Sequence, residues 1–170
     1  MKLKSYIRDI PDFPKPGILF KDITPLLQSP EAFREVVDRL AGYFDDKHVD
    51  TILAIEARGF LFGSALAYRL SKPLVPVRKQ GKLPFGTYAV TYSLEYGNDT
   101  VEMHKDGVVA GDRVGIVDDL LATGGTMAAA CRLVEKSGAK VEGIASVIEL
   151  TELQGRKLLR GYDIFTLLNY

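Results

Sequence analysis

Residues 114–126 constrain this chain more than any other segment. Positions 114–117 are an apolar run of the kind a buried strand needs, and Met127, Ala130, Cys131 and Val134 recur at helical spacing. Between them stand Asp118-Asp119-Leu120-Leu121-Ala122-Thr123-Gly124-Gly125-Thr126. The order is strand, acidic pair, small-residue loop, helix start. Backbone N–H groups and the positive end of a helix dipole at such a start suit a phosphate. Two carboxylates one step upstream repel phosphate but accept hydrogen bonds from vicinal hydroxyls, which points to a sugar phosphate. A Walker loop is excluded because no lysine follows Gly124-Gly125, and a dinucleotide fingerprint because the three spaced glycines are missing. A plain strand-to-helix turn accounts for Gly-Gly alone; the two aspartates with Ala-Thr-Gly-Gly-Thr favour the ligand reading.

The remaining chain supplies a frame for that unit. One hundred and seventy residues suit one domain with a sizeable core, and 22 basic residues balance 22 acidic ones. Zero net charge argues against a broad nucleic-acid surface but leaves room for a local anion pocket. The single Cys131 cannot form an internal disulfide, and no apolar run near Met1 is long enough for a signal or membrane span. Both features suit a cytoplasmic protein without a membrane partner. Residues 3–10 suggest a short helix, and the proline-rich stretch 11–25 an ordered loop. Ser29-Pro30 caps a helix whose apolar face carries Phe33, Val36, Val37, Leu40, Tyr43 and Phe44.

Further along, 51–55 reads as a strand, 60–70 as a helix and 74–77 as a strand. Residues 79–86 read as an exposed flexible segment, and 87–94 with 99–103 as a hairpin turning at Gly97-Asn98. Strand 113–117, a helix ending at Lys136, strand 141–149, helix 152–159 and strand 164–168 complete the series. This alternation predicts an α/β fold: a mainly parallel twisted sheet with helices on both faces, the hairpin standing apart as a flap. Ligands then bind at the carboxyl ends of the strands, where residues 56–59 and 118–126 fall.

At this point the chain resembles a known family. Asp118-Asp119 and the following loop are similar to the phosphoribosyl-diphosphate (PRPP) motif of type I phosphoribosyltransferases, and residues 117–126 resemble the adenine phosphoribosyltransferases in particular. Four more segments resemble that family in its order. They are 13–25 (Phe-Pro-Lys-Pro-Gly-Ile-Leu-Phe-Lys-Asp-Ile-Thr-Pro), 57–63 (Ala-Arg-Gly-Phe-Leu-Phe-Gly), 78–84 (Arg-Lys-Gln-Gly-Lys-Leu-Pro) and 92–97 (Tyr-Ser-Leu-Glu-Tyr-Gly). The resemblance implies a single-domain type I phosphoribosyltransferase fold over 1–170 with a small hood. Residues 1–28 would form the N-terminal segment and base-binding loop, and 79–103 the flexible flap and hairpin. It implies transfer of phosphoribose from PRPP to adenine, giving AMP and diphosphate, by a homodimer with the Arg58 region near the subunit contact.

With PRPP as ligand, Ala122, Thr123, Gly124, Gly125 and Thr126 would take the 5-phosphate. Asp118 and Asp119 would hold the ribose hydroxyls and offset charge on an oxocarbenium-like ribose. Metal binding or strand-end capping is the structural alternative for the two aspartates. Arg58 and Gly59 would face the diphosphate, with a non-proline cis peptide implied at Glu56–Ala57. Taken alone, Arg58 reads as a surface ion pair. Arg78, Lys79 and Lys82 suit a lid over the diphosphate, against the alternative of a solvated loop. Mg2+ is expected to ride on the diphosphate, with no protein ligand. The resemblance makes Glu95 a candidate to handle the purine proton. It places the base at Leu19, Phe20 and Lys21, with Leu150 as a second wall. By themselves Phe20 and Cys131 read as core residues, and His48 and His104 as surface residues. Two rivals stay open: an enzyme acting on hypoxanthine, guanine or xanthine, and a regulator that binds PRPP or a nucleotide without chemistry.

Overall fold

The computed structural model describes residues 1–170. A 3-10 turn at Leu3–Tyr6 leads into strands β1 (Arg8–Pro11) and β2 (Leu19–Asp22), then helices α1 (Thr24–Gln28) and α2 (Pro30–Asp45). There follow β3 (Thr51–Ile55), α3 (Gly59–Leu70), β4 (Leu74–Lys79), β5 (Thr87–Ser93) and β6 (Asn98–His104). The chain ends through β7 (Arg113–Leu121), α4 (Gly125–Lys136), β8 (Lys140–Glu149), 3-10 turns at Thr151–Leu153 and Gly155–Leu159, and β9 (Ile164–Asn169).

Seven strands form one sheet in the order β5-β6-β4-β3-β7-β8-β9. The pairs from β4 through β9 are parallel, and β6 is antiparallel to both its neighbours. All five residues of β3 are buried, as a parallel strand covered on both faces requires. On one face, α2 lays down Val36, Leu40 and Phe44 beside Phe62 and Leu66 of α3. On the other, α4 contributes Met127, Cys131 and Val134 against Val75, Val77, Ile116 and Ile144. Ser29 caps α2, its Oγ accepting from the Ala32 amide at 3.3 Å, and Pro30 occupies the first turn where no N–H is needed.

Three expectations change. The first concerns residues 3–25. Of positions 3–10 only Leu3–Tyr6 is helical, as one 3-10 turn, and the proline-rich stretch is not merely a loop. Pro14 and Pro16 are confined to the turn, where Asp12 Oδ1 accepts from the Gly17 amide at 2.8 Å. Past Gly17 (φ +87°) residues 18–24 are free of proline, and β2 pairs antiparallel with β1, Arg8 opposite Asp22 and Pro11 opposite Leu19. This two-stranded sheet stands apart from the large one.

Second, the 87–104 hairpin does not stand off the body; it extends the main sheet. β4 runs two residues beyond the expected Val77, and Arg78 and Lys79 pair with Glu102 and Val101. Val101 and Met103 are thereby buried in the α4-side core. β5 becomes the edge strand, where Lys136 Nζ donates to the Ala89 carbonyl at 2.9 Å. Third, the segment expected as helix 152–159 is two 3-10 turns separated by Gln154 at φ +53°.

Strand order reverses beside β3: β4 lies to one side and β7, β8 and β9 to the other. Because Ala54 is level with Val117, Glu56 and Asp119 reach the same carboxyl-end crevice, the usual ligand position in an open α/β sheet. The depth of α3 on β3 is set by Gly63, where a Cβ would stand 2.4 Å from the Ala54 Cβ. Gly63→Ala is expected to cost about 2–3 kcal/mol by overpacking, a Tm drop of roughly 4–10 °C in a thermal melt. Ala54→Gly, which vacates the clashing methyl, should recover part of that loss in the double variant.

Candidate active site

A cavity of about 310 Å³ opens in this crevice. Residues 55–58 after β3 and 118–127 from β7 into α4 line it, with Lys79 reaching in from β4. The phosphate-loop residues Ala122 to Thr126 are thus together, at the N-terminus of a 12-residue helix. Gly124 adopts φ +85°, and a Cβ there would meet the Gly155 carbonyl oxygen at 2.4 Å. A Cβ on Gly155 would meet the Ala122 oxygen at the same distance. The loop is therefore seated backbone against backbone on the second 3-10 turn. Gly155 escapes sequence reasoning because its partners, Ala122 and Gly124, lie in a distant part of the chain and its own neighbourhood reads as a short helix.

β7 continues through Leu121 because Asp118, Leu120 and Leu121 find partners at Ser146, Ile148 and Glu149 of β8. The acidic pair consequently lies inside a strand rather than after it. Asp119 is buried and Asp118 half-buried, with Asp118 Oδ1 accepting from the Asp119 amide at 2.8 Å. Helix α3 begins close against them. A Cβ on Gly59 would sit 2.7 Å from Asp118 Oδ1 and 3.2 Å from its Cα, so only glycine permits this approach. Burial, then the charge of Asp119, pushes the Asp118 carboxyl well above the usual carboxylate range. Burial raises Asp119 also, against the pull of Arg58.

The basic residues arrive already matched by carboxylates. Arg58, at the end of the cis Glu56–Ala57 unit, pairs with Asp119 at 2.8 Å. Glu56 receives Arg78 at 3.3 Å, the ammonium of Lys82, and the Lys79 amide at 2.8 Å. Burial works against its charge, but these donors hold the Glu56 carboxyl below the ordinary range. Lys79 Nζ pairs with Asp99. Glu56, expected only as part of the cis turn at the diphosphate, and Asp99, which the sequence does not single out, are the acceptors that organise the lid residues.

Base-loop residues lie beside the cavity rather than in its wall. Arg58 links the two, its guanidinium carbon 5.0 Å from the Phe20 ring centroid and its Nη1 3.5 Å from the Lys21 carbonyl oxygen. Phe20 is half-buried and meets Phe13 edge-on at 5.1 Å. Lys21 turns its side chain away, donating to Asp9 Oδ1 at 2.7 Å and lying 4.0 Å over the Tyr170 ring. Leu19 is exposed, and Leu150 packs against the α2–α3 core. Glu95 stands exposed in the β5–β6 turn and is not brought to the cavity. Cys131 is buried and its thiol is raised to about 12, by burial first and then by Glu135, so it is a packing residue.

A carboxyl with a raised pKa holds more protons folded than unfolded, so its contribution to stability falls as pH rises through that value. Asp118→Asn is therefore expected to raise Tm at pH 7–8 by roughly 2–4 °C, about 1 kcal/mol. The gain should fade as the pH is lowered toward about 4, the ordinary carboxylate range. Calorimetric melts across pH check both signs. Gly155→Ala should weaken PRPP binding at least tenfold by displacing the phosphate loop, about 1.4 kcal/mol, measured by titration calorimetry.

The phosphoribosyl transferase domain family matches residues 22–169. The adenine phosphoribosyltransferase of Solibacter usitatus is 59% identical over 168 residues, 99% of this chain and 97% of that protein. The structure of adenine phosphoribosyltransferase from Thermoanaerobacter pseudethanolicus superposes with a TM-score of 0.97 at 55% identity, covering 99% of this chain and 98% of that one. The Saccharomyces cerevisiae adenine phosphoribosyltransferase, complexed with adenine and an imino-altritol bisphosphate, gives 0.92 at 43% identity, covering 98% and 96%. With an acidic strand end, a glycine-seated phosphate loop and a basic rim in one crevice, this chain belongs to the phosphoribosyltransferase family, among its adenine phosphoribosyltransferases.

Proposed function

We propose that this protein transfers the 5-phosphoribosyl group from PRPP to adenine, releasing AMP and diphosphate, a purine-salvage reaction. The observation that carries the reading is the continuous run from Asp118-Asp119 through Gly124 into α4, opposite Arg58 and Lys79 in one cavity. The N–H groups opening α4 and the Thr123 and Thr126 hydroxyls receive the 5-phosphate. Asp118 and Asp119 accept from the ribose hydroxyls and oppose the positive charge that grows as diphosphate departs. Arg58, Arg78, Lys79 and Lys82 exchange their carboxylate partners for diphosphate oxygens. That exchange lets charged groups already in place serve the leaving group, at the cost of leaving Asp119 and Glu56 without their partners.

Adenine stacks on Phe20, while main-chain groups of Leu19 and Lys21 read its edge. The Lys21 side chain is occupied by Asp9 and Tyr170, so its main chain is what this site offers the base. A carbonyl acceptor facing the 6-amino group rejects a 6-oxo purine, which presents a second acceptor there. The β5–β6 turn folds over the base to deliver Glu95, whose carboxylate accepts the ring proton. Magnesium belongs to this reading, carried on the diphosphate by substrate and water rather than by the chain. When bound, the ion supplies charge neutralisation on the leaving diphosphate.

A homodimer is part of this reading, supported by Leu61, exposed in the first turn of α3 three positions after Arg58. Light scattering measures it directly. The cytoplasmic assignment rests on the lone Cys131, which fits a reducing compartment. No helix is long and apolar enough to cross a membrane.

Diphosphate release from PRPP and Mg2+ is expected with adenine, with AMP as product, and at background level with hypoxanthine, guanine or xanthine. Release with a 6-oxo purine would overturn the base pocket, and no release with any base would overturn the reaction. Glu95→Gln is expected to lower kcat by about 10²–10⁴-fold with PRPP affinity unchanged, in steady-state and binding measurements.

A further inference from the structure

Tyr92 lies outside every role described so far, yet its hydroxyl touches both ends of the site. The residue sits in β5, is buried, and packs its ring on the first turn of α4, where a Cβ on Gly125 would stand 3.2 Å from the ring Cδ2. The hydroxyl is 2.9 Å from Thr126 Oγ1. It donates to Asp99 Oδ2 at 3.2 Å and lies 3.4 Å from the Nζ of Lys79, itself paired with Asp99. A chain of contacts thus runs from the phosphate loop, through one phenol, to a cation on the cavity wall.

We propose that Tyr92 is a positioning residue that links recognition of the 5-phosphate to recognition of the diphosphate, through Thr126 on one side and Asp99–Lys79 on the other. The inference rests on the PRPP reading of this cavity. A phenol has a single hydrogen. With that hydrogen given to Asp99, its oxygen accepts from the Thr126 hydroxyl and the Lys79 ammonium. A phosphate on the loop takes the Thr126 hydrogen, and Thr126 Oγ1 then looks to Tyr92 for a donor. The orientation of one hydroxyl therefore sets that of the other. Because the phenol is held by packing on Gly125, turning its hydrogen from Asp99 to Thr126 leaves its oxygen and the Asp99 carboxylate both to Lys79, so ordering Thr126 also orders Lys79. The second anion then meets a cation whose freedom is already reduced, which is positive coupling without a large movement. Two anions on separate loops are in this way read as the ends of one molecule.

The test is titration calorimetry of diphosphate, with Mg2+, in the absence and presence of saturating ribose 5-phosphate. The wild type is expected to bind diphosphate at least about fivefold tighter with ribose 5-phosphate present, the low end of ordinary coupling. Tyr92→Phe should bring that factor to within about twofold of unity, the error of such a comparison, while each ligand alone still binds. In kinetics it should raise KM for PRPP about fivefold, one hydrogen bond's worth, and leave KM for adenine unchanged. A purely structural role would instead lower Tm and weaken each ligand alone. Asp99→Ala removes the shared acceptor at a less buried position and should also lose the coupling; it carries the test if Tyr92→Phe does not fold. Combining the two should add nothing beyond the larger single effect. Coupling retained in both variants, or absent from the wild type, overturns the proposal. A wild type that makes no AMP from PRPP and adenine overturns the functional reading instead, and that assay is run first.

Discussion

Ion pairing within the cavity is the interaction on which the rest of this site depends. Arg58, Arg78, Lys79 and Lys82 are gathered around one crevice, where like charges raise one another's energy. Asp119, Glu56 and Asp99 offset that cost, each taking one or two of the cations. Surface ion pairs contribute little, but Asp119 and Glu56 are shielded from water, so breaking these pairs leaves a poorly solvated carboxylate behind. The same carboxylates fix where the cations point. A phosphate-bearing substrate then meets directed charge rather than a diffuse positive field.

The scaffold's contribution is close approach. Glycine lets α3 come up to Asp118 and Ala54, and lets the phosphate loop rest on the turn at Gly155. Each contact brings main chain within reach of a partner where one methyl group would intervene. Helix α3 sets the Arg58 backbone, and the turn at Gly155 sets the loop that opens α4. The two halves of the crevice are thus placed by packing that has no part in the chemistry. Deep in the sheet the arrangement is apolar on both faces, so the strand ends that carry Glu56 and Asp119 have no freedom to shift register.

Much of this was legible in the sequence, and the exceptions share a cause. β3, α2 and α4 each satisfy one local rule, continuous burial or helical periodicity, and β3 spans the expected 51–55, α2 opens at Pro30 and α4 ends at Lys136 as read. β1 and β2 fail that test because neither has a pattern of its own; each is a strand only because the other is beside it. The hairpin was legible as a hairpin, but its attachment to β4 depends on two polar residues, Arg78 and Lys79, that look like loop. Within the site, Asp118 to Thr126 form a contiguous string and are readable together. Glu56, Asp99, Tyr92 and Gly155 are not, because their meaning lies in partners from other elements. The Lys21 side chain is likewise accounted for by Asp9 and Tyr170, one of them 149 positions further along the chain.

The edge of the sheet carries a consequence of a different kind. An exposed β5 would present unpaired main-chain groups along its length, the template on which a second chain can add a strand. Lys136 covers one of these groups at Ala89, and its positive charge makes the approach of another backbone unfavourable. α4, whose first turn opens the phosphate loop, therefore carries at its last residue a gatekeeper against edge-to-edge aggregation. Colloidal behaviour and chemistry are thus written on opposite ends of one helix. Surface changes meant to improve solubility should leave that lysine in place.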